Sequence, residues 1–333
     1  MSGSKIVDIA YYLPKKEVVS ETLLKEFKDF DTDKVENKIG IKKRHVSNQN
    51  ETSLELGFEA SKKLLEANPD CNIDFIVFCT QTPKFILPTS ACILQNMLGL
   101  PKNIGALDFN LGCSGYVYGL AVCKGIIAAG VAKNILFVTS DTYTKYIHQK
   151  DKGNRSIFGD GATATLVSEC SDMKIGEFVL GTDGSGYDKL IIRNGGAGNK
   201  YDTSANEKIY GDQNVYDDNS IYMNGPEIFN FTINNIPSLI QKTIDKNNLL
   251  EEKIDYYIFH QANKFMLEYL RKKMKLGAEK FFIDLEQSGN TVSSTIPIAL
   301  KQAIAKGDIK KGDKVLIAGF GVGLSWGATV ITI

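Results

Sequence analysis

Residues 106–115 read ALDFNLGCSG, an apolar run that stops on Asn-Leu-Gly and then sets Cys113 between two glycines. The segment that follows, YVYGLAVCKGII, is apolar enough for a buried helix. A cysteine at that junction leaves a strand and sits over the positive end of a helix, and both conditions favour a thiolate. A small thiol can equally be a core filler, so the rest of the chain has to decide. The decision begins with residues 282–291, FIDLEQSGNT, which echo the first stretch and place Asn290 where the first has its cysteine.

Three further pairs keep the same order. IDFIVFCTQTP (Ile73–Pro83) is matched by IDYYIFHQAN (Ile254–Asn263), KNILFVTSD (Lys133–Asp141) by KVLIAGFG (Lys314–Gly321), and GDGATATLV (Gly159–Val167) by SWGATVITI (Ser325–Ile333). The first three echoes lie about 180 residues apart. Each segment is a β-branched or aromatic run, which predicts a strand. Helical patterns stand between them, as in TSLELGFEASKKLLEAN, with Thr52 or Ser53 as its cap. Alternation of this kind predicts an α/β protein with mostly parallel, buried sheets packed in layers. The halves are predicted at residues 1–172, carrying Cys113, and 173–333, carrying His260 and Asn290. His260, like its counterpart Thr80, ends a strand, and strand ends are where α/β folds build sites. A pseudo-twofold therefore brings Cys113, His260 and Asn290 to one locus.

Composition removes several classes. The 39 basic and 39 acidic residues cancel, so no global field argues for nucleic acid or a membrane surface. The longest apolar stretch, Leu111–Ala132, contains Lys124 and reads as a central helix rather than a membrane span. Without a signal-peptide layout, the expected location is cytoplasmic. Six cysteines and three histidines form no metal-ligand spacing, so neither a metal nor a disulfide framework is expected.

The segments NLGCSGY, HQANKF, GNTVSSTIP and GFGVGLSWGATVI, together with IGIKKRHVSNQNETSLELGFEA, FILPTSACILQNMLG and SIFGDGATATLV, resemble 3-oxoacyl-acyl-carrier-protein synthase III of the thiolase-like superfamily. The resemblance spans nearly the whole chain in order. It implies a thiolase-like fold and a Cys113–His260–Asn290 triad. It also implies an acyl-transfer oxyanion hole from the backbone N–H groups of Cys113 and Val322. The implied reaction loads an acyl group from coenzyme A or a carrier protein onto Cys113, then condenses it with a malonyl thioester on acyl carrier protein, releasing CO2. No metal or redox cofactor is implied; the partners are the acyl carrier protein and a second copy of the chain. An acyltransferase of the same fold, passing the acyl group to an amine or hydroxyl, is the alternative, and a non-catalytic carrier-protein partner is disfavoured by the presence of Cys113.

The chain departs from the family at several points. Gly321-Val322-Gly323 replaces three glycines. Lys34 and Lys152 stand where the family has a tryptophan and an arginine around the adenine of coenzyme A, leaving Lys38, Lys152 and Asn263 as expected coenzyme or pantetheine contacts. The expected carrier-docking segment is Gln261, Ala262, Asn263, Lys264 and Phe265, the last replacing a family arginine, with RKKMK (Arg271–Lys275) as a basic run nearby. Leu87 is expected to reach the acyl pocket of the partner subunit and, being smaller than the common aromatic, to admit a longer primer. The polar stretch 197–220 is expected to be a mobile lid or an exposed excursion.

Overall fold

The computed structural model describes residues 3–28 and 30–333, and of residues 34 and 35 the backbone alone. Five strands form one sheet in the order Gly3–Tyr12, Gly161–Cys170, Asn134–Asp141, Phe75–Cys79, Gly105–Phe109. Four form the second, in the order Val179–Thr182, Ser325–Thr332, Lys314–Gly321, Tyr256–Phe259. The first four strands of each order correspond, with three echoes in matching places: Gly161–Cys170 with Ser325–Thr332, Asn134–Asp141 with Lys314–Gly321, and Phe75–Cys79 with Tyr256–Phe259. Phe75–Cys79 pairs in parallel with both Gly105–Phe109 and Asn134–Asp141, and Tyr256–Phe259 with Lys314–Gly321; the other pairings in the two sheets are antiparallel. The sheets are therefore mixed rather than mostly parallel, because Gly161–Cys170 and Ser325–Thr332 each run antiparallel to the strands on both sides of them.

The predicted strand at FIDLEQSGNT does not form; isolated bridges stand at its two ends, Phe281 with Tyr257 and Asn290 with Phe158. The Gln261 side chain takes over the missing ladder. Its Nε2 donates to the carbonyls of Phe259 (2.6 Å) and Phe282 (3.3 Å), and its Oε1 accepts from Asp284 N–H (2.8 Å). A side-chain amide offers both a donor and an acceptor, so it satisfies backbone groups that would otherwise be buried unpaired.

Between the sheets lie the helices Gly115–Ala128 and Thr295–Lys306. Leu120, Cys123 and Ile127 of the first and Ala299, Leu300 and Ala303 of the second pack with Val77, Phe137, Ile258 and Ile317 from both sheets. Lys124 escapes this core to donate to the carbonyl of Gly176 (2.9 Å) and to Glu177 (2.8 Å). Ser53–Ala67 and Ser90–Met97 cover the outer face of the first sheet, and Gly225–Lys246 and Lys264–Lys273 that of the second. The helix Ser53–Ala67 starts on a capping box: Thr52 Oγ1 accepts from Leu54 N–H, and Glu55 Oε2 accepts from Thr52 N–H. The result is five alternating layers, with both central helices starting near one end of the sheets. Among the described residues, no helix is long and apolar enough to cross a membrane.

Candidate active site

Cys113, His260 and Asn290 line one cavity of about 120 Å³, together with Leu190, Met223, Met266 and Gly321. All three are nearly inaccessible, at 4%, 2% and 4% exposure. Each sits where an element ends: Cys113 between the strand Gly105–Phe109 and a central helix, His260 directly after Tyr256–Phe259, and Asn290 in the approach to the second central helix. Gly321 allows the close approach of the two halves, since a Cβ there would lie 2.9 Å from Cys113 Cβ and 3.1 Å from its Sγ.

The backbone N–H groups of Cys113 and Val322 favour the charged form of the Cys113 sulfur. The same two N–H groups are the ones expected to form the acyl-transfer hole, which has to hold the substrate carbonyl oxygen rather than the sulfur. They do not, however, make Cys113 a thiolate at rest. Burial pushes its thiol up to about 12, with the Asp141 carboxylate adding to the rise, and the two N–H groups only partly offset this. Sequence reasoning weighed the helix end and could not see the desolvation. His260 moves the other way: burial pushes its imidazole down to about 3. The resting pair is thus a neutral thiol and a neutral imidazole.

Thr295, at the start of the second central helix, orders this imidazole. Its Oγ1 lies 2.7 Å from His260 Nδ1, accepts from Gln261 N–H (3.3 Å), and has the Val292 carbonyl 3.1 Å away as an acceptor. With the hydroxyl donating to Val292, Nδ1 carries the ring proton and Nε2 presents its lone pair to the cavity. With the hydroxyl turned to Nδ1, Nε2 carries the proton instead. Asn290 is fixed as firmly. Its Oδ1 accepts from Val292 N–H (2.9 Å), which leaves Nδ2 toward His260 Nε2, 3.5 Å away. Val292 is held at φ 57, a left-handed conformation costly for a β-branched residue, and so places its N–H on Asn290 and its carbonyl on Thr295. Neither Thr295 nor Val292 stood out in the sequence. Only the SSTIP register after Asn290 hinted at them.

The models described as "3-Oxoacyl-[acyl-carrier-protein (ACP)] synthase III" and its C-terminal part match residues 107–184 and 244–333. A beta-ketoacyl-[acyl-carrier-protein] synthase III from Clostridium perfringens is 37% identical, with 99% of each chain covered. The chain belongs to the 3-oxoacyl-acyl-carrier-protein synthase III family. Another member, from Caldanaerobacter subterraneus, is 36% identical over 98% of this chain and 96% of its own. A 3-oxoacyl-(acyl-carrier-protein) synthase III crystal structure superposes with a TM-score of 0.97 at 42% identity, covering 99% of this chain and 100% of that one. OleA from Xanthomonas campestris, at 15% identity and a TM-score of 0.84 over 99% of both chains, shares the fold alone.

Within this synthase III frame, the remaining sequence-derived positions fall in different places. Ala262 and Asn263 line the cavity, and Asn263 Oδ1 also caps the helix Lys264–Lys273 by accepting from Met266 N–H (2.8 Å). Gln261, expected in a docking segment, is 1% exposed and spends its amide on the backbone, so no partner can touch it. Lys264 and Phe265 are exposed, with Lys38 Nζ 4.9 Å over the Phe265 ring. In the basic run, Arg271 pairs with Glu268 (2.8 Å) and Lys273 donates to the Ile233 carbonyl (2.7 Å). Lys152 is packed under Asp212 at 3.8 Å, and the side chain of Lys34 lies outside the described residues. Leu87 stands 80% exposed, away from the cavity of its own chain.

The stretch 197–220 is neither a bare lid nor a bare excursion. It contains a hairpin of Lys208–Tyr210 and Asn214–Tyr216 docked on the short helix Lys152–Ile157. Tyr210 donates to Asp151 (2.7 Å), and Asn214 Oδ1 accepts from Gly153 N–H (2.8 Å). Tyr210, Tyr216 and Tyr222 pack ring on ring, which gives this polar segment an apolar anchor.

Proposed function

We propose that this synthase III is a condensing enzyme that loads an acyl group on Cys113 and joins it to malonyl-acyl-carrier protein, as in the initiation of fatty acid synthesis. The observation that carries this reading is the convergence of Cys113, His260 and Asn290 from opposite halves on one cavity. In the first step His260 Nε2 takes the Cys113 proton as sulfur attacks the donor thioester. The oxyanion rests on the N–H groups of Cys113 and Val322, and the donor thiol departs with the proton. In the second step malonyl thioester loses CO2, and its enolate oxygen is held by His260 Nε2–H and the Asn290 amide. The enolate carbon attacks the acyl carbonyl, Cys113 leaves as thiolate, and one proton from solvent restores the thiol. The Thr295 hydroxyl serves both steps by supporting either imidazole tautomer.

Both substrates are thioesters, so the chain's own residues suffice for these steps. Acyl carrier protein is the partner for the second step, approaching the exposed Lys264–Phe265 rim beside Lys38. A homodimer is supported by the run Phe85, Ile86 and Leu87, at 51%, 89% and 80% exposure. Three adjacent apolar side chains left in water are a patch that a second copy would cover. Sedimentation velocity of the wild type and Ile86→Glu tests it, with a dimer for the first and a monomer for the second as the expected result.

The deciding experiment is intact-protein mass after incubation with acyl-coenzyme A and acyl-carrier-protein donors, followed by malonyl-carrier protein. An adduct on Cys113 that malonyl discharges with CO2 supports the condensation. An adduct that only an amine or hydroxyl acceptor discharges points to the same-fold acyltransferase.

A further inference from the structure

A second cavity, of about 270 Å³, adjoins the catalytic one and shares Leu190 with it. Cys113 packs in one apolar cluster with Tyr143, Leu190 and Ile221, and Val322 lies against them. The condensing route needs such a space. The carrier arm of the donor must leave and that of malonyl must enter while the acyl chain stays on the sulfur, so chain and arm cannot share one channel.

The lining of this second cavity is partly apolar, with Leu190, Ile192 and Ile221, and partly polar, with Gln81, Asn110 and Tyr143. Those three polar side chains form a relay. The buried Tyr143 hydroxyl donates to Gln81 Oε1, and Gln81 Nε2 donates to Asn110 Oδ1 at 2.9 Å. The relay uses the Gln81 carbonyl and one of its amide hydrogens. The second Gln81 N–H and the Asn110 amide hydrogens are left over for an acceptor. It also lies close to the chemistry: a Cβ on Gly112, the residue before the nucleophile, would be 2.5 Å from Gln81 Oε1. A plain alkyl chain would strip water from these amide hydrogens and return nothing, whereas an oxygen on the chain would accept from them.

We propose that Gln81, Asn110 and Tyr143 form a polar subsite that selects acyl primers bearing a hydroxyl or oxo group within a few carbons of the thioester over alkyl primers of equal length. The proposal rests on the condensing reading. In each loading step the Cys113 S–C bond forms, the donor S–C bond breaks, and the thiol proton leaves with the donor.

The test measures Cys113 acylation by intact mass, as kcat/KM, for butyryl, 3-hydroxybutyryl and 4-hydroxybutyryl thioesters, each on coenzyme A and on carrier protein. The expected result is about a tenfold preference for one hydroxybutyryl primer, the size of one hydrogen bond that would otherwise go unmade. Gln81→Leu should reduce that ratio to about twofold or less. Asn110→Ala, at a surface-accessible position that the fold tolerates, should lower it in the same direction. Equal or faster loading of butyryl by the wild type overturns the subsite and leaves the condensing reading standing, as does an unchanged ratio in both variants. No label on Cys113 from any thioester sinks the condensing reading, and the subsite with it.

Discussion

The two halves of this molecule share one strand order yet treat matching positions differently. In the first half the strand Asn134–Asp141 ends on a buried carboxylate. Asp141 accepts from Gln81 N–H (2.8 Å), Thr82 Oγ1 (3.2 Å) and Ser293 Oγ (3.2 Å), and so locks the loop after the strand Phe75–Cys79. In the second half the matching strand Lys314–Gly321 ends on a glycine pressed against Cys113. Thr80 in the locked loop donates inward to Asp141 (3.4 Å), while its counterpart His260 turns to the cavity. Duplication supplied two equivalent sets of strand ends. One set is spent on holding the nucleophile's surroundings rigid, and the other on the groups that move protons.

That division can be broken most severely at the reacting atoms. Cys113→Ala should abolish acylation altogether, read as loss of the mass adduct. His260→Ala and Asn290→Ala should cut decarboxylation of malonyl-carrier protein roughly 100- to 1000-fold, the usual cost of one oxyanion donor. Asn290→Ala should still accept acyl groups on Cys113, because that step uses the other hole.

The Thr295 rotor comes next in size. Thr295→Val removes the hydroxyl that orders His260 and should lower condensation about tenfold or more, in kcat more than in KM. Thr295→Ser keeps the hydroxyl and should restore most of it. A valine variant with wild-type kcat and an unaltered pH profile would sink the two-tautomer reading.

Asp141 sharpens the contrast in pH. Burial pushes its carboxyl up to about 7, against an ordinary 3.8. A carboxyl that holds its proton more tightly when folded gives stability that is full below about pH 4 and fades as pH rises through about 7. Urea unfolding at pH 5 and pH 7.5 should show that decline in the wild type and a flatter response in Asp141→Asn. The same variant removes a charge that raises the Cys113 thiol, so iodoacetamide should alkylate Cys113 a few-fold faster at pH 8. The smallest effect is expected at the hairpin: Tyr210→Phe loses the bond to Asp151 and should cost about 1 kcal/mol in unfolding, with kcat unchanged.

The sequence by itself determined the duplication, the strand and helix alternation, and the three residues that converge, because periodicity and echo survive in one dimension. The cap was legible to within one residue, Thr52 or Ser53, because capping is a contact between near neighbours, and the structure selects Thr52. What only the tertiary structure decided depends on burial and on distant partners. The strand expected at FIDLEQSGNT gives way to the Gln261 side chain, whose partners lie 21 and 23 residues along the chain. Cys113 is a thiol at rest because its surroundings are dry, a property that no spacing encodes. The Tyr143–Gln81–Asn110 relay joins positions 62 and 29 residues apart, and its meaning appears only once a cavity is seen beside it. Pattern in a chain records which faces are apolar; desolvation and the meeting of remote polar groups are properties of the packed solid.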